Sequence, residues 1–156
     1  MKRCYIIAEA GLNHNGSLKI AKELIEIAAD SGADAVKFQK RTVDILATNN
    51  YLDQKDDRFP SFGKTYREIR EFLEFNLDQY IDLKKYTKSN GLDFIVTPFD
   101  NQALSFINKV GVDKYKLASH SLTNIDLINE VASINKDTIL STGMSDISEI
   151  ETAISI

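Results

Sequence analysis

Apolar runs that close on a polar group recur five times along this 156-residue chain, with amphipathic stretches between them. The first lies in Cys4–Gly16, CYIIAEAGLNHNG, where the run ends at the carboxylate of Glu9 and a glycine-bracketed loop follows with Asn13, His14 and Asn15. This pattern predicts a buried strand opening into a polar loop at one mouth of a parallel α/β fold. Ser17 then precedes LKIAKELIEIAADSG, in which Ile20, Leu24, Ile27 and Ala28 recur at helical spacing and Gly32 stops the helix. Ala33–Lys40, ADAVKFQK, is a second strand, and the three elements make a right-handed βαβ unit.

Residues 41–64 show no clean period and carry Asn49-Asn50, Asp53, Asp56-Asp57, Pro60 and Gly63, so they read as a long polar loop. Loops of that length are usually functional or mobile. From Thr65 the helical pattern returns as YREIREFLEF and then LDQYIDLKKYTKSNG; the charges of residues 64–74 read as a solvated face. Leu92–Phe99 is a third strand that must end near Pro98, which cannot donate to a ladder. Asn101–Val110 is a short helix, Lys114–Ser119 a fourth strand, Asn124–Asn135 a helix and Asp137–Gly143 a fifth strand. Ser145-Asp146 can cap a last helix.

Five strands alternating with helices, without a linker or low-complexity tract, define one α/β layer structure. Two architectures compete. A doubly wound open sheet suits the length, because a (β/α)₈ TIM barrel takes ~250 residues and this chain would supply only its first five or so βα units. The strand ends favour the barrel: Glu9, Lys37 with Gln39, Thr97, Lys116 with Ser119, and Ser141 with Thr142 would all gather at one mouth. GLNHNG has neither dinucleotide-binding nor P-loop spacing.

Composition narrows the functional classes. A net charge of -4 and a pI near 5.2, with lysines scattered among acids, leave no electrostatic footprint for nucleic acid. The apolar run after Met1-Lys2-Arg3 is broken by Glu9, too soon for a signal peptide or a membrane span, so a cytoplasmic protein is expected. The single cysteine, Cys4, reads as a buried structural thiol in a reducing compartment.

In order, the strand-end motifs AEAGLNHNG, KFQ, TPF, YKLAS and STGM resemble the N-acetylneuraminate (sialic acid) synthase family, over essentially the whole chain. The resemblance implies condensation of phosphoenolpyruvate with an N-acetylhexosamine such as N-acetylmannosamine, giving a sialic-acid-type nonulosonic acid and phosphate. It also implies a (β/α)₈ barrel, a small C-terminal antifreeze-like domain, a divalent manganese or magnesium ion and a homodimer. On this reading residues 1–156 are the N-terminal part of the barrel, the family's metal-ligand histidines and its second domain fall beyond Ile156, and residues 1–156 alone are expected to be inactive.

Carried over by the resemblance, Glu9 is the carboxylate near the reacting carbons, Lys37 binds the phosphoenolpyruvate anion and Gln39 reaches the sugar. Thr97, Lys116, Ser119 and Ser141 are the remaining phosphoenolpyruvate contacts, and Tyr66 is a looser match to a substrate-loop tyrosine. Many members read Ser-Gly-Glu after the fourth strand, where this chain has Ser119-His120-Ser121, which leaves the sugar open. The residue types suit the chemistry: a multiply charged anion needs fixed cations and hydroxyl donors. His14 reads as a donor that fixes its loop, and His120 either faces the pocket or packs. Two rivals stand beside the synthase: a truncated, inactive relative that only binds, and a barrel aldolase using Lys37 or Lys116 as a Schiff-base amine.

Overall fold

Five parallel strands lie side by side in chain order: β1 (Ile7–Gly11), β2 (Ala35–Lys40), β3 (Asp93–Pro98), β4 (Lys114–Leu117) and β5 (Thr138–Leu140). The computed structural model describes residues 3–156; Met1 and Lys2, the start of the N-terminal segment considered above, lie outside them. Strand order decides between the two architectures. A doubly wound sheet reverses direction at a switch point, whereas here each strand pairs with its predecessor, as in a barrel. The fold is the first five βα units of a (β/α)₈ barrel.

The helices α1 (Leu18–Asp30), α4 (Leu77–Ser89), α5 (Asn101–Val110), α6 (Ile125–Ser133) and α7 (Ile147–Ile154) alternate with the strands. Because side chains alternate along a strand, the sheet has two chemically different faces. Val36, Phe38, Phe94, Val96, Tyr115 and Leu117 form one, fully buried with Ile25, Leu83, Leu104, Ile107 and Leu127 of the helices. Lys37, Gln39, Thr97 and Lys116 take the intervening positions. Helix starts follow the sequence: Ser17 Oγ accepts from the Ile20 N–H at 3.3 Å, and Asn76 and Gln79 form a reciprocal capping box. Asp100 accepts from the Ala103 N–H at 2.6 Å and from the Thr42 N–H at 2.8 Å, so one carboxylate starts α5 and anchors the segment leaving β2.

That segment is not a plain loop. A 3₁₀ turn (Val43–Ile45) and a short helix α2 (Asn49–Leu52) bury Val43 and Leu52, and Lys55 bridges Thr65 in antiparallel fashion. Helix α3 (Tyr66–Leu73) holds it down: Arg67 donates to Asp53 at 2.6 Å, Asp44 at 2.5 Å and Asn49 at 2.9 Å. The expectation of a solvated charged face therefore fails at Arg67, whose planar fork is filled by three acceptors from its own loop.

Two further expectations change. Cys4 is exposed, because the first ladder pair begins at Ile7. The fourth strand stops at Leu117, and Ser119–Ser121 form a 3₁₀ turn. No described helix is long and apolar enough to cross a membrane.

Candidate active site

The ladder register delivers the site. Glu9 pairs with Lys37 in the middle of β1 and β2, and Gln39 with Thr97 near the C-terminal ends of β2 and β3. The Lys37 ammonium forms an ion pair with Glu9 and lies 3.4 Å from Thr97 Oγ1. Gln39 Nε2 donates to the other Glu9 oxygen at 2.9 Å, while the Tyr80 hydroxyl fixes the Gln39 backbone carbonyl at 2.6 Å. Both Glu9 oxygens are thus held, one by a cation and one by an amide.

Gly11 makes room for this contact. A register shift between Glu9 and Gly11 interrupts the β1–β2 ladder, and Gly11 has φ +53°. A Cβ there would stand 2.9 Å from Glu9 Oε1 and 3.3 Å from Gln39 Nε2, so a side chain would collide with the pair as well as strain the backbone.

Lys116 joins from β4. Its ammonium donates to the Leu117 carbonyl at 2.6 Å, and its pKa is lowered by burial and then by the charge of Lys37, against the opposing pull of Glu9. Two ammonium groups with one carboxylate to balance them favour an anionic ligand. Thr97 is buried. Ser119 and Ser141 follow β4 and β5; Ser119 Oγ lies 3.7 Å from where a Cβ on Gly143 would be, and the Ser141 N–H donates to the Leu117 carbonyl at 3.1 Å. Among the described residues neither hydroxyl bonds to the Glu9 network. Tyr66, on α3, lies edge-on to Tyr51 at 5.4 Å and 4.8 Å from the Arg70 guanidinium, and its side chain makes no hydrogen bond to the Glu9 network among the described residues.

Arg41 belongs to the site and escaped the sequence reading. Its Nη2 donates to Gln39 Oε1 at 2.6 Å, and its guanidinium lies 3.7 Å over the Phe99 ring. The signal was present: Lys37, Gln39 and Arg41 follow one another at the two-residue spacing of a strand face.

The two histidines do other work. His14 is buried, stacks on Phe75 at 4.2 Å, and accepts the Gly16 N–H on Nδ1 at 3.1 Å, so it fixes its loop as an acceptor rather than as the expected donor. Burial pushes its pKa down to about 4, which leaves it neutral at pH 7. His120 is largely exposed and leans on Phe99 at 4.9 Å; its pKa is lowered by partial desolvation, then by the charges of Arg41 and Lys116. Among the described residues there is no cluster of three or more His, Cys, Asp or Glu that could hold a metal ion. The divalent ion implied by the resemblance finds no fitting donor set here, and the chemistry open to these residues is anion binding, hydrogen bonding and charge stabilisation.

Residues 24–156 match the NeuB family. The chain belongs to that family. This NeuB chain is 40% identical over 162 residues to the N,N'-diacetyllegionaminic acid synthase of Campylobacter jejuni, covering 100% of the chain and 47% of that protein. It is 35% identical over 141 residues to the human N-acetylneuraminate-9-phosphate synthase, covering 90% and 39%. The crystal structure of an N-acetylneuraminic acid (sialic acid) synthetase from Leptospira borgpetersenii, solved with citrate, superposes with a TM-score of 0.80 at 34% identity, over 99% of this NeuB chain and 50% of the other. The chain spans about half the length of the curated relatives it matches.

Proposed function

We propose that this chain supplies the phosphoenolpyruvate-binding side of a site that condenses phosphoenolpyruvate with an N-acetylated amino sugar, giving a nonulosonic acid and inorganic phosphate. One observation carries the reading: in a NeuB family chain, Lys37, Lys116, Thr97, Gln39 and Glu9 come together on one face of four adjacent strands, from mid-strand to the C-terminal ends. Lys37 and Lys116 hold the phosphate and carboxylate of phosphoenolpyruvate, with hydroxyl donors from Thr97, Ser119 and Ser141.

The enol C3 forms a bond to the aldehyde carbon of the sugar, whose oxygen takes up a proton. Positive charge develops at C2, beside Glu9, which stabilises it and orients the incoming water. Water adds to C2 and gives up one proton, which balances the one taken up by the aldehyde oxygen. The bond from C2 to the phosphate oxygen then breaks, and the C2 hydroxyl passes its proton to the departing phosphate as the ketone forms. The two curated relatives named above make different sugar acids by their names, so the family alone leaves the acceptor open. N-acetylmannosamine and related N-acetylhexosamines are the class to test.

Incubation of the protein that carries this chain with [3-13C]phosphoenolpyruvate and a panel of N-acetylated hexosamines, with manganese or magnesium added, tests the proposal. The labelled carbon should move from an alkene to a methylene signal in step with phosphate release, for one panel member above the rest. Phosphate release without sugar incorporation would reject it. Borohydride trapping of Lys37 or Lys116 in the presence of pyruvate would point instead to a Schiff-base aldolase.

A further inference from the structure

Three side chains run in line from the end of β2 to the carboxylate: Arg41 Nη2 donates to Gln39 Oε1 at 2.6 Å, and Gln39 Nε2 donates to Glu9 Oε1 at 2.9 Å. A side-chain amide has an acceptor at one end and donors at the other, and turning it over exchanges them. A guanidinium carries donors only and a carboxylate acceptors only. With Arg41 on one side and Glu9 on the other, the amide has a single favourable orientation; reversed, its NH₂ would meet N–H groups and its carbonyl would meet a carboxylate.

We propose that Arg41 is a positioning residue, which locks the Gln39 amide with its NH₂ toward Glu9 and thereby holds the Glu9 carboxylate in register with Lys37. The guanidinium is well placed to be rigid. It lies over the Phe99 ring at 3.7 Å, and the backbone N–H of Arg41 donates to Glu74 Oε2 at 3.4 Å. It is also held there at a cost. Arg41 Nη1 is buried without a hydrogen-bond partner, and burial together with the charge of Arg70 lowers the Arg41 pKa. An apolar side chain would cover Phe99 without that cost, so packing alone does not account for an arginine here. Gly11, with no Cβ, leaves room beside the same Glu9–Gln39 contact.

The geometric part stands on its own, whereas the effect on turnover rests on the proposed condensation; two readouts keep them apart. The first needs no activity. Protection of the Gln39 side-chain amide protons from exchange with water, read by 15N NMR and assigned with Gln39→Ala, should fall at least about tenfold in Arg41→Met, because the bond that holds the carbonyl is gone. Arg41→Lys, which can still donate to the carbonyl, should restore most of it. The second is a double-mutant cycle on turnover. Arg41→Met should lower kcat on the order of 100-fold while leaving KM for phosphoenolpyruvate nearly unchanged, the mark of a misplaced catalytic group. Added to Gln39→Ala it should cost nothing further. Unchanged protection in Arg41→Met would overturn the proposal, and so would losses that add in the double variant, since a residue touching substrate directly would behave that way. If the protein turns nothing over, the exchange measurement alone decides.

Discussion

Glu9 and Lys37 face each other as Cα partners in the β1–β2 ladder, and their side chains close that register with an ion pair. The pair is lopsided. The lysine side chain is 15% exposed and the glutamate 45%, so the cation is fixed in the wall while the carboxylate looks out of it. Such a half-exposed pair adds little to stability. Its value lies in readiness: an incoming anion competes with Glu9 for a cation already in place.

Lys37→Met should therefore separate binding from folding. Removing one charged donor from an anion site costs about 3 kcal/mol, or roughly 100-fold in affinity. The urea midpoint should move by less than about 1 kcal/mol equivalent, because the lost ion pair is partly exposed. Calorimetric titration of phosphoenolpyruvate reads the first quantity and a denaturation curve the second. Unchanged affinity would remove Lys37 from the site.

Lys40 and Glu74 present the opposite case, with side chains 11% and 10% exposed and 2.8 Å apart. Lys40 also donates to the Phe75 carbonyl at 3.1 Å, and burial raises the Glu74 pKa against the pull of Lys40. Here a single break strands a buried charge. Lys40→Met should lower stability by about 3–5 kcal/mol, and Lys40→Met with Glu74→Leu should recover most of it. Urea unfolding of the four corners of this cycle measures both numbers, and a double variant no better than the single one would show that the pair does more than neutralise itself.

Strands and helices were legible because each is a local pattern: a period of two ending in a polar group, or a helical stripe opened by Ser17, Asn76 or Asp100. The barrel was legible only from its strand ends, since length pointed to the open sheet and the deciding fact, unreversed strand order, is a property of the ladder. Residues 41–64 were misread because their order comes from Arg67 and from buried Val43 and Leu52, contacts with no local period. Arg41 was missed for a related reason. Beside Lys40 at the end of a strand, Arg41 looks like one more surface charge, and its two-residue spacing from Lys37 and Gln39 gains meaning only once Gln39 and Phe99 are seen against it.

His14 should leave a mark on acid stability. Its folded pKa of about 4 lies below the unfolded value of about 6.5, so between these limits the unfolded chain binds more protons and stability falls as pH drops. Between about pH 7 and pH 4.5 this one group accounts for about 2 kcal/mol. His14→Asn, which keeps an acceptor for the Gly16 N–H, should lose that much less than the wild type over the same interval. Parallel urea curves at the two pH values check it, and identical losses would mean the ring is not neutral and buried in solution.

Lys116 gives two pH dependences of opposite sign, which makes it the most discriminating group. Burial and Lys37 depress its pKa, so the ammonium deprotonates earlier than an ordinary lysine as pH rises. Phosphoenolpyruvate affinity, which needs the charge, should decline across that window. Stability should move the other way: the unfolded chain, with the higher lysine pKa, binds more protons there, so the contribution of this group grows as pH rises. Glu9 opposes the depression, so Glu9→Gln should shift the loss of affinity to still lower pH, whereas Lys116→Arg, which stays charged, should flatten it. Calorimetry in two buffers of different ionisation enthalpy adds a direct measure, net proton uptake on binding at alkaline pH in the wild type and none in Lys116→Arg. An alkaline limb that Lys116→Arg leaves in place would assign the titration to another group and take Lys116 out of the anion site.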